Sequence, residues 1–307
     1  MTAPIHILTG CTACGKTELA LAWAERFGAE IISCDSLLFY RGMDIGTAKP
    51  TAAERARVPH HLIDIVEVEE RVDVKRYAEL ARAAVADIEA RGHQILVVGG
   101  SGFYLKSFLE PVADEVEIDP AMRAALEARL ASEGLASLVA QLRTLNPAGL
   151  GELDVQNPRR VQRALERCLA SGATLAELAQ RFQAQERPFP GREIRVVEAA
   201  RESDDLRARI EARVQAMLAA GLIEEVRTLR GWGLEQNPSA ASAIGYRETL
   251  AWLDEGGDTA GLAAAIVQNT RQLVRKQRTW FRTQLPEHRV VTVAPGATTD
   301  VAGLFAG

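Results

Sequence analysis

Cysteine is scarce. The 307 residues carry four, Cys11, Cys14, Cys34 and Cys168, too few to staple a chain of this size into a disulfide scaffold. A reducing, cytoplasmic setting is expected. No apolar run approaches the ~20 residues that span a bilayer. No signal peptide is expected, because Met1 to Pro4 leads straight into the first strand without a basic n-region. Positive charge is not in excess either: 36 Lys and Arg against 41 Asp and Glu leave a net −5. That excludes a globally basic nucleic-acid binder, so any such surface has to be a local patch. A zinc site lacks its second half: Cys11-Thr12-Ala13-Cys14 spells C-x-x-C, but no second pair completes it. Internal repeats and low-complexity tracts are also missing. What remains is 47% hydrophobic and 25% charged, the composition of a globular chain with a full core plus a second lobe.

The stretch GCTACGKT, Gly10 to Thr17, follows the apolar run Ile5-His6-Ile7-Leu8 and opens a helical pattern from Lys16 to Phe27. Strand, Gly-rich loop and helix in that order are the context a P-loop requires. Gly10 and Gly15 let the backbone curl so that the amides of Cys11, Thr12, Ala13 and Cys14 form a nest for phosphate oxygens, backed by the positive end of the helix. Lys16 adds a point charge, and Thr17 offers a hydroxyl to Mg²⁺. The motif predicts a bound di- or triphosphate without saying which. Cys14, beside Lys16 and a helix N-terminus, is a candidate for a lowered pKa and easy oxidation; two small side chains in a phosphate loop is the plainer account.

Glu30 to Cys34 is a short buried strand that delivers Asp35 and Ser36 at its carboxyl end, where open α/β sheets handle ligands. Asp35 reads equally as a turn former. The long connection 36–50, SLLFYRGMDIGTAKP, has the length of a functional loop. His60 and His61 are adjacent in an extended segment and point to opposite faces, a poor chelate, so hydrogen-bonding roles are expected. Asp73 caps a helix running to about Arg91. The strand Gln94 to Val98 is followed by Gly99-Gly100-Ser101-Gly102, which either brings the Ser101 hydroxyl to a ligand or simply turns the chain into a helix.

From about Asp114 the pattern becomes wholly helical, near 120–133, 135–145, 158–171 and 174–184. Asn157-Pro158-Arg159-Arg160-Val161-Gln162-Arg163 opens one of these helices with three arginines, and Arg167 extends the face. A solvated surface and a phosphate-contacting one both account for the cluster. After the linker 186–191, Ile194 to Val197 returns as a strand. A long helix from about Asp204 carries Arg207, Arg209 and Arg213, and 237–245 is a loop. The last long helix, roughly 258–284, mixes Arg271, Arg275, Lys276, Arg278 and Arg282 with Trp280 and Phe281. Taken alone it is a helix with inward aromatics and solvated cations; the same mixture also suits single-stranded nucleic acid. A closing strand is expected at 289–293. The whole reads as α/β, a P-loop NTPase-like parallel sheet flanked by helices. An all-α insertion interrupts it, with domains at 1–114, 115–192 and 193–307.

Taken together and in order, GCTACGKT, IISCDS, YRGMDIGTAKP, PHHLIDI, VVGGSGFYLK, NPRRVQRALE, IGYRE and RKQRTWFR resemble the tRNA dimethylallyltransferase (tRNA isopentenyltransferase) family over nearly the whole chain. Three departures stand out: Cys11 replaces a proline, Cys14 a serine and Ser101 a threonine. Leu37, Leu38 and Phe39 stand where small or polar residues are common. With no cysteine after Cys168, the chain is similar to the shorter bacterial type. The resemblance implies transfer of a dimethylallyl group from dimethylallyl diphosphate to the exocyclic amine of the adenosine 3′ of the anticodon. It implies that the P-loop holds the donor's diphosphate with Mg²⁺ at Thr17, aided by Arg213 and more weakly by Arg209. Asp35 would be the general base, and Ser101 would hydrogen-bond between the two substrates. Contacts to tRNA would come from Asp35, Ser36, Leu37, Leu38, Ser101 and Arg123, from Arg159, Arg160, Val161, Gln162 and Arg163, from Ser242, Ala243, Ile244, Gly245, Tyr246 and Arg247, and from Arg275, Lys276, Gln277, Arg278, Thr279, Trp280, Phe281 and Arg282. The expected protein is a monomer that does not engage membranes. Rival readings are an ATP-dependent small-molecule kinase, which leaves the basic helices idle; a non-catalytic RNA-binding NTPase, which gives Asp35 no task; and an enzyme that prenylates free adenine nucleotides.

Overall fold

The computed structural model describes residues 3–294 and 300–306. In chain order the elements are β1 (Ile5–Gly10), α1 (Lys16–Phe27), β2 (Ala29–Ser33), α2 (Ala52–Arg57), β3 (His60–His61), α3 (Val74–Ala90), β4 (Gln94–Val98), α4 (Gly102–Leu109), α5 (Pro120–Glu133), α6 (Leu135–Leu145), α7 (Pro158–Ser171), α8 (Leu175–Gln183), β5 (Ile194–Ala200), α9 (Ser203–Ala219), α10 (Leu222–Gly231), α11 (Pro238–Ala241), α12 (Tyr246–Glu255), α13 (Thr259–Gln284) and β6 (Arg289–Thr292). They form two compact units, one of Met1–Glu110 with Pro188–Gly307, the other of Pro111–Arg187.

The first unit is built on a six-stranded sheet in the order β3-β2-β4-β1-β5-β6, with every pairing parallel. Parallel strands need crossovers that cover both faces, so their central members are apolar throughout. β1 and β2 are buried at every position, whereas the edge strand β6 is largely exposed. All six strands end on the same side, and the loops that follow β1, β2 and β4 carry the residues singled out above. On one face of the sheet Tyr77, Val85 and Ile88 of α3 pack with Ile210 and Val214 of α9 and Ile266 of α13 in one apolar cluster. On the other, α1 seats Leu19, Leu21 and Trp23 against Leu8, Ile31 and Leu96.

The second unit contains only helices among its described elements. Its core is Leu126, Leu138, Leu142, Val161, Leu165, Cys168 and Leu178. Asp119 with Pro120, and Asn157 with Pro158, start α5 and α7 as N-cap and first-turn residues, pairings that satisfy an orphan donor and supply a fixed φ.

Two expectations change. The segment around His60 is extended for only two residues, because Leu62 and Asp64 take positive φ and turn the chain. The stretch 237–245 includes the short α11, which Asn237 caps through the amides of Ser239 and Ala240. Phe27, where the helical pattern of α1 was expected to end and does, is partly exposed and packs on Trp23 at 4.9 Å between ring centroids. No described helix is long and apolar enough to cross a membrane.

Candidate active site

The phosphate-loop motif lies between β1 and α1. Its carbonyls are fastened by cations: Lys16 Nζ donates to Gly10 O (2.8 Å) and Cys11 O (2.7 Å), Arg209 Nε to Ala13 O (3.0 Å), and the buried Arg201 Nε to Cys14 O (3.1 Å). In a trans peptide the carbonyl and the following N–H point opposite ways. Holding Cys14 O against buried Arg201 therefore turns the Gly15 N–H away from that arginine; Gly15 itself lines a cavity. The Thr12 N–H is taken by Gln277 Oε1 (3.0 Å), whose amide donates to Gly100 O (3.0 Å). One α13 side chain thus ties together the loops after β1 and β4.

Asp35 follows β2. Its Oδ1 accepts the Leu37 N–H (3.1 Å), and Ser101 Oγ accepts the neighbouring Ser36 N–H (3.2 Å). Gly99 explains how these loops come so close: a Cβ there would lie 1.9 Å from Cys34 O, an approach only glycine permits. Arg213, on α9, donates to Thr47 O (3.1 Å). Burial pulls its pKa down, while the opposing charge of Asp35 raises it.

Two cavities open here. The first, about 400 Å³, is lined by Gly15, Lys16, Thr17, Asp35, Leu38 and Arg209 among others; the second, about 520 Å³, by Ser36, Leu37, Ser101, Phe103, Ile244 and Trp280 among others. Thr12, Lys16, Asp35, Thr47 and Arg213 line both, so the cavities meet at a carboxylate flanked by two cations.

The remaining expected contact residues sort by exposure. Ser242, Ala243, Gly245, Lys276, Gln277 and Phe281 line the second cavity with Ile244 and Trp280. Arg247, Arg275, Arg278, Thr279 and Arg282 are exposed, as are Arg123, Arg159, Arg160 and Arg163 of the helical unit. Four expectations need correction. Val161 is fully buried in the helical core. Tyr246 is fully buried, with its hydroxyl on Glu225 (2.7 Å). Phe281 is 1% exposed. The Gln277 amide is spent on Thr12 and Gly100. Val161 and Tyr246 have no exposed side chain to offer RNA, while Gln277 and Phe281 border the second cavity. Cys14 is 1% exposed in the core under the loop, which removes the access that oxidation needs, and burial raises the pKa of Cys11. His60 and His61 do serve as hydrogen-bonding residues, to Val58 O (2.7 Å) and Glu30 Oε2 (2.6 Å).

Sequence reasoning missed Arg201, the Thr47–Arg213 contact and Glu225. Arg201 carried one faint signal: a charged residue directly after a strand, at the edge where ligands sit.

A family model described as IPP transferase matches residues 38–284. A tRNA dimethylallyltransferase of Opitutus terrae is 58% identical over 98% of this chain and 96% of its own length. One of Deinococcus radiodurans is 43% identical over 93% and 92%. The crystal structure of a full-length tRNA isopentenylpyrophosphate transferase from Bacillus halodurans superposes with a TM-score of 0.68 at 32% identity, covering 94% of this chain and 89% of that one. A eukaryotic dimethylallyltransferase acting on tRNA shares the fold, with a TM-score of 0.81 at 24% identity over 94% and 74%. With its phosphate loop, its strand-end carboxylate and this degree of likeness, the chain belongs to the tRNA dimethylallyltransferase family.

Proposed function

We propose that this chain transfers a dimethylallyl group from dimethylallyl diphosphate to the exocyclic amine of the adenosine 3′ of the anticodon in tRNA, releasing diphosphate. One observation carries the reading. Asp35, Lys16 and Arg213 line both cavities, so a base and an anion cradle share the place where two substrates can meet.

The diphosphate sits at the phosphate loop. As the allylic C–O bond breaks, its electrons and the growing negative charge pass to the diphosphate. Lys16 and Arg213, which line both cavities, would meet that charge, and such preset electrostatics are usually the largest catalytic term. Arg209 adds a further cation on the rim of the first cavity. The adenine amine is a poor nucleophile because its lone pair is delocalised. Asp35 orients it and accepts its proton as the new N–C bond forms. Ser101 holds the backbone beside Asp35 through Ser36 and places a hydroxyl on the second cavity.

Thr17 is exposed at the start of α1 and lines the first cavity. No group of three or more His, Cys, Asp or Glu side chains is arranged for a metal among the described residues. A hydroxyl alone fits Mg²⁺, which keeps several waters and takes one or two protein ligands plus phosphate oxygens. Thr17 would hold it, and its charge would help neutralise the departing diphosphate.

The adenine has to leave the base stack, at a cost of a few kcal/mol. Exposed Arg123, Arg159, Arg160 and Arg163, with Arg247, Arg275, Lys276, Arg278 and Arg282, would supply phosphate contacts that position the RNA without reading its sequence. On this reading the protein acts as a monomer; its four unpaired cysteines fit a reducing cytoplasm. The test is to incubate it with tRNA and labelled dimethylallyl diphosphate and map the label. Label on the exocyclic amine of that adenosine is expected. Phosphoryl transfer from ATP without prenylation would replace this reading with a kinase, and labelled free nucleotide with unlabelled tRNA would move the substrate to the nucleotide.

A further inference from the structure

The loop Met43–Pro50 has no ladder to hold it, yet its Thr47 lines both cavities and its backbone aims Arg213. Lys49 fastens its far end to Tyr40 O (2.8 Å) and Asp64, and a carboxylate far along the chain holds its near end. Glu225, on α10, accepts four hydrogen bonds. Its Oε2 takes the N–H groups of Asp44 (3.0 Å) and Ile45 (2.6 Å); its Oε1 takes the Gly46 N–H (3.0 Å) and the Tyr246 hydroxyl (2.7 Å). Three successive amides converging on one anion form a nest, and hydrogen bonds to an ionised acceptor are the stronger kind.

The surroundings fit that acceptor closely. Tyr246 is fully buried, and burial with Glu225 beside it keeps its phenol protonated, hence a donor. Gly46 is what lets the ring in: a Cβ there would lie 2.6 Å from it. Thr47 Oγ1 turns back to Met43 O (2.7 Å), closing the loop on itself. The next link is Thr47 O, which accepts from the Arg213 guanidinium (3.1 Å). A continuous set of short contacts therefore runs from Glu225 through residues 44–47 to the cation at the junction of the two cavities.

We propose that Glu225 is a positioning residue for prenyl transfer: by holding residues 44–46 it sets the Thr47 carbonyl that aims Arg213 at the diphosphate. It touches no substrate itself, and the inference rests on the prenyl-transfer reading. A carboxylate that merely holds the fold together would not depend on Arg213, and that separates the two cases.

The experiment is a double-mutant cycle with Glu225→Gln, Arg213→Gln and the pair, measured by single-turnover transfer at saturating tRNA together with donor KM, tRNA affinity and melting temperature. Glu225→Gln keeps the shape but loses the charge and one acceptor. In it the transfer rate is expected to fall roughly tenfold or more, the scale on which small misplacements act near a reacting centre, with tRNA affinity unchanged. In the Arg213→Gln background the further loss should shrink to about twofold or less, because coupled residues are non-additive. Should Glu225→Gln fail to fold, Tyr246→Phe removes only one of the four donors and is expected to give a smaller loss that likewise vanishes without Arg213. An unchanged rate in Glu225→Gln, or a loss that keeps its full size in the Arg213→Gln background, overturns the inference. A wild-type protein that does not prenylate tRNA sinks the functional reading and this inference with it. Wild-type transfer with an insensitive Glu225→Gln sinks this inference alone.

Discussion

Glu30 and Asp35 stand at opposite ends of the same strand, β2, and they are treated in opposite ways. Glu30, at the amino end, has both oxygens occupied twice. Oε1 meets Arg91 Nε (2.9 Å) and His93 Nδ1 (2.6 Å); Oε2 meets Arg91 Nη2 (2.8 Å) and His61 Nε2 (2.6 Å). The arginine is the main reason its pKa is held down at about 2. Asp35, past the carboxyl end, accepts one amide and otherwise borders the two cavities. The cations follow the same division. Arg91 is paired with Glu30 and Asp87, whereas Lys16, Arg209 and Arg213 rest on neutral carbonyls. A charge saturated by opposite charges holds structure together. A cation backed only by carbonyl oxygens keeps its field and offers it to an anion in the cavity. One end of the sheet has its charges saturated, and the other sets its carboxylate and cations on the walls of two cavities.

The sharpest way to break that contrast is at Asp35. Asp35→Ala should slow transfer by roughly 10²- to 10⁴-fold, the span of general base catalysis, with tRNA affinity and melting temperature nearly unchanged. A rate close to wild type would make Asp35 a turn former after all. Lys16→Ala comes next. Losing one preset donor to a developing anion lowers the rate by roughly 100-fold, and the deficit should be plainest at limiting donor. Unchanged kinetics there would mean the diphosphate binds elsewhere.

How much of this was legible beforehand depends on how local each signal is. The phosphate loop, the Asp35-Ser36 turn and the Gly99–Gly102 turn are short segments whose residue types declare their backbone. The helices of the second unit were readable for the same reason, since Asp119-Pro120 and Asn157-Pro158 mark their starts. Val161 and Phe281 were misread because runs of neighbours were assigned to one surface, although a helix turns every third or fourth residue inward. Val161, Leu165 and Cys168 carry that spacing and are buried together. Glu225, Arg201 and the Thr47–Arg213 contact had no local signal. Each is a contact between segments far apart in the chain, and a charged residue on a helix does not announce its partner.

Glu30→Gln sharpens the comparison from the finished end. It leaves Arg91, His61 and His93 without their carboxylate and should destabilise the fold by about 2 kcal/mol, the value of hydrogen bonds to a charged group, while the transfer rate per folded molecule stays put. A lowered rate at full folding would show that the two ends of β2 are not independent. On the helical unit, Arg160→Glu with Arg163→Glu should weaken tRNA binding and flatten its dependence on salt by about 1.5–2 in slope if both arginines meet phosphates. Arg163 also lies 3.3 Å from Glu166, so part of its loss would be local. Equal binding by wild type and variant across a salt series would make α7 a bystander.

Acid sensitivity tests the same end of β2 without a change at the other. Because the folded pKa of Glu30 lies below its ordinary 4.5, at about 2, the unfolded chain binds the extra proton first as pH falls. Its contribution to stability is therefore whole above about pH 4.5 and disappears as pH drops through 2. Wild type should lose stability across that window more steeply than Glu30→Gln, which has no proton to take up there. Denaturant midpoints measured from pH 5 to pH 2 would test it. Parallel curves for the two proteins would show that the carboxylate is not held by its cations, and would remove the saturated half of the comparison between the two ends of β2.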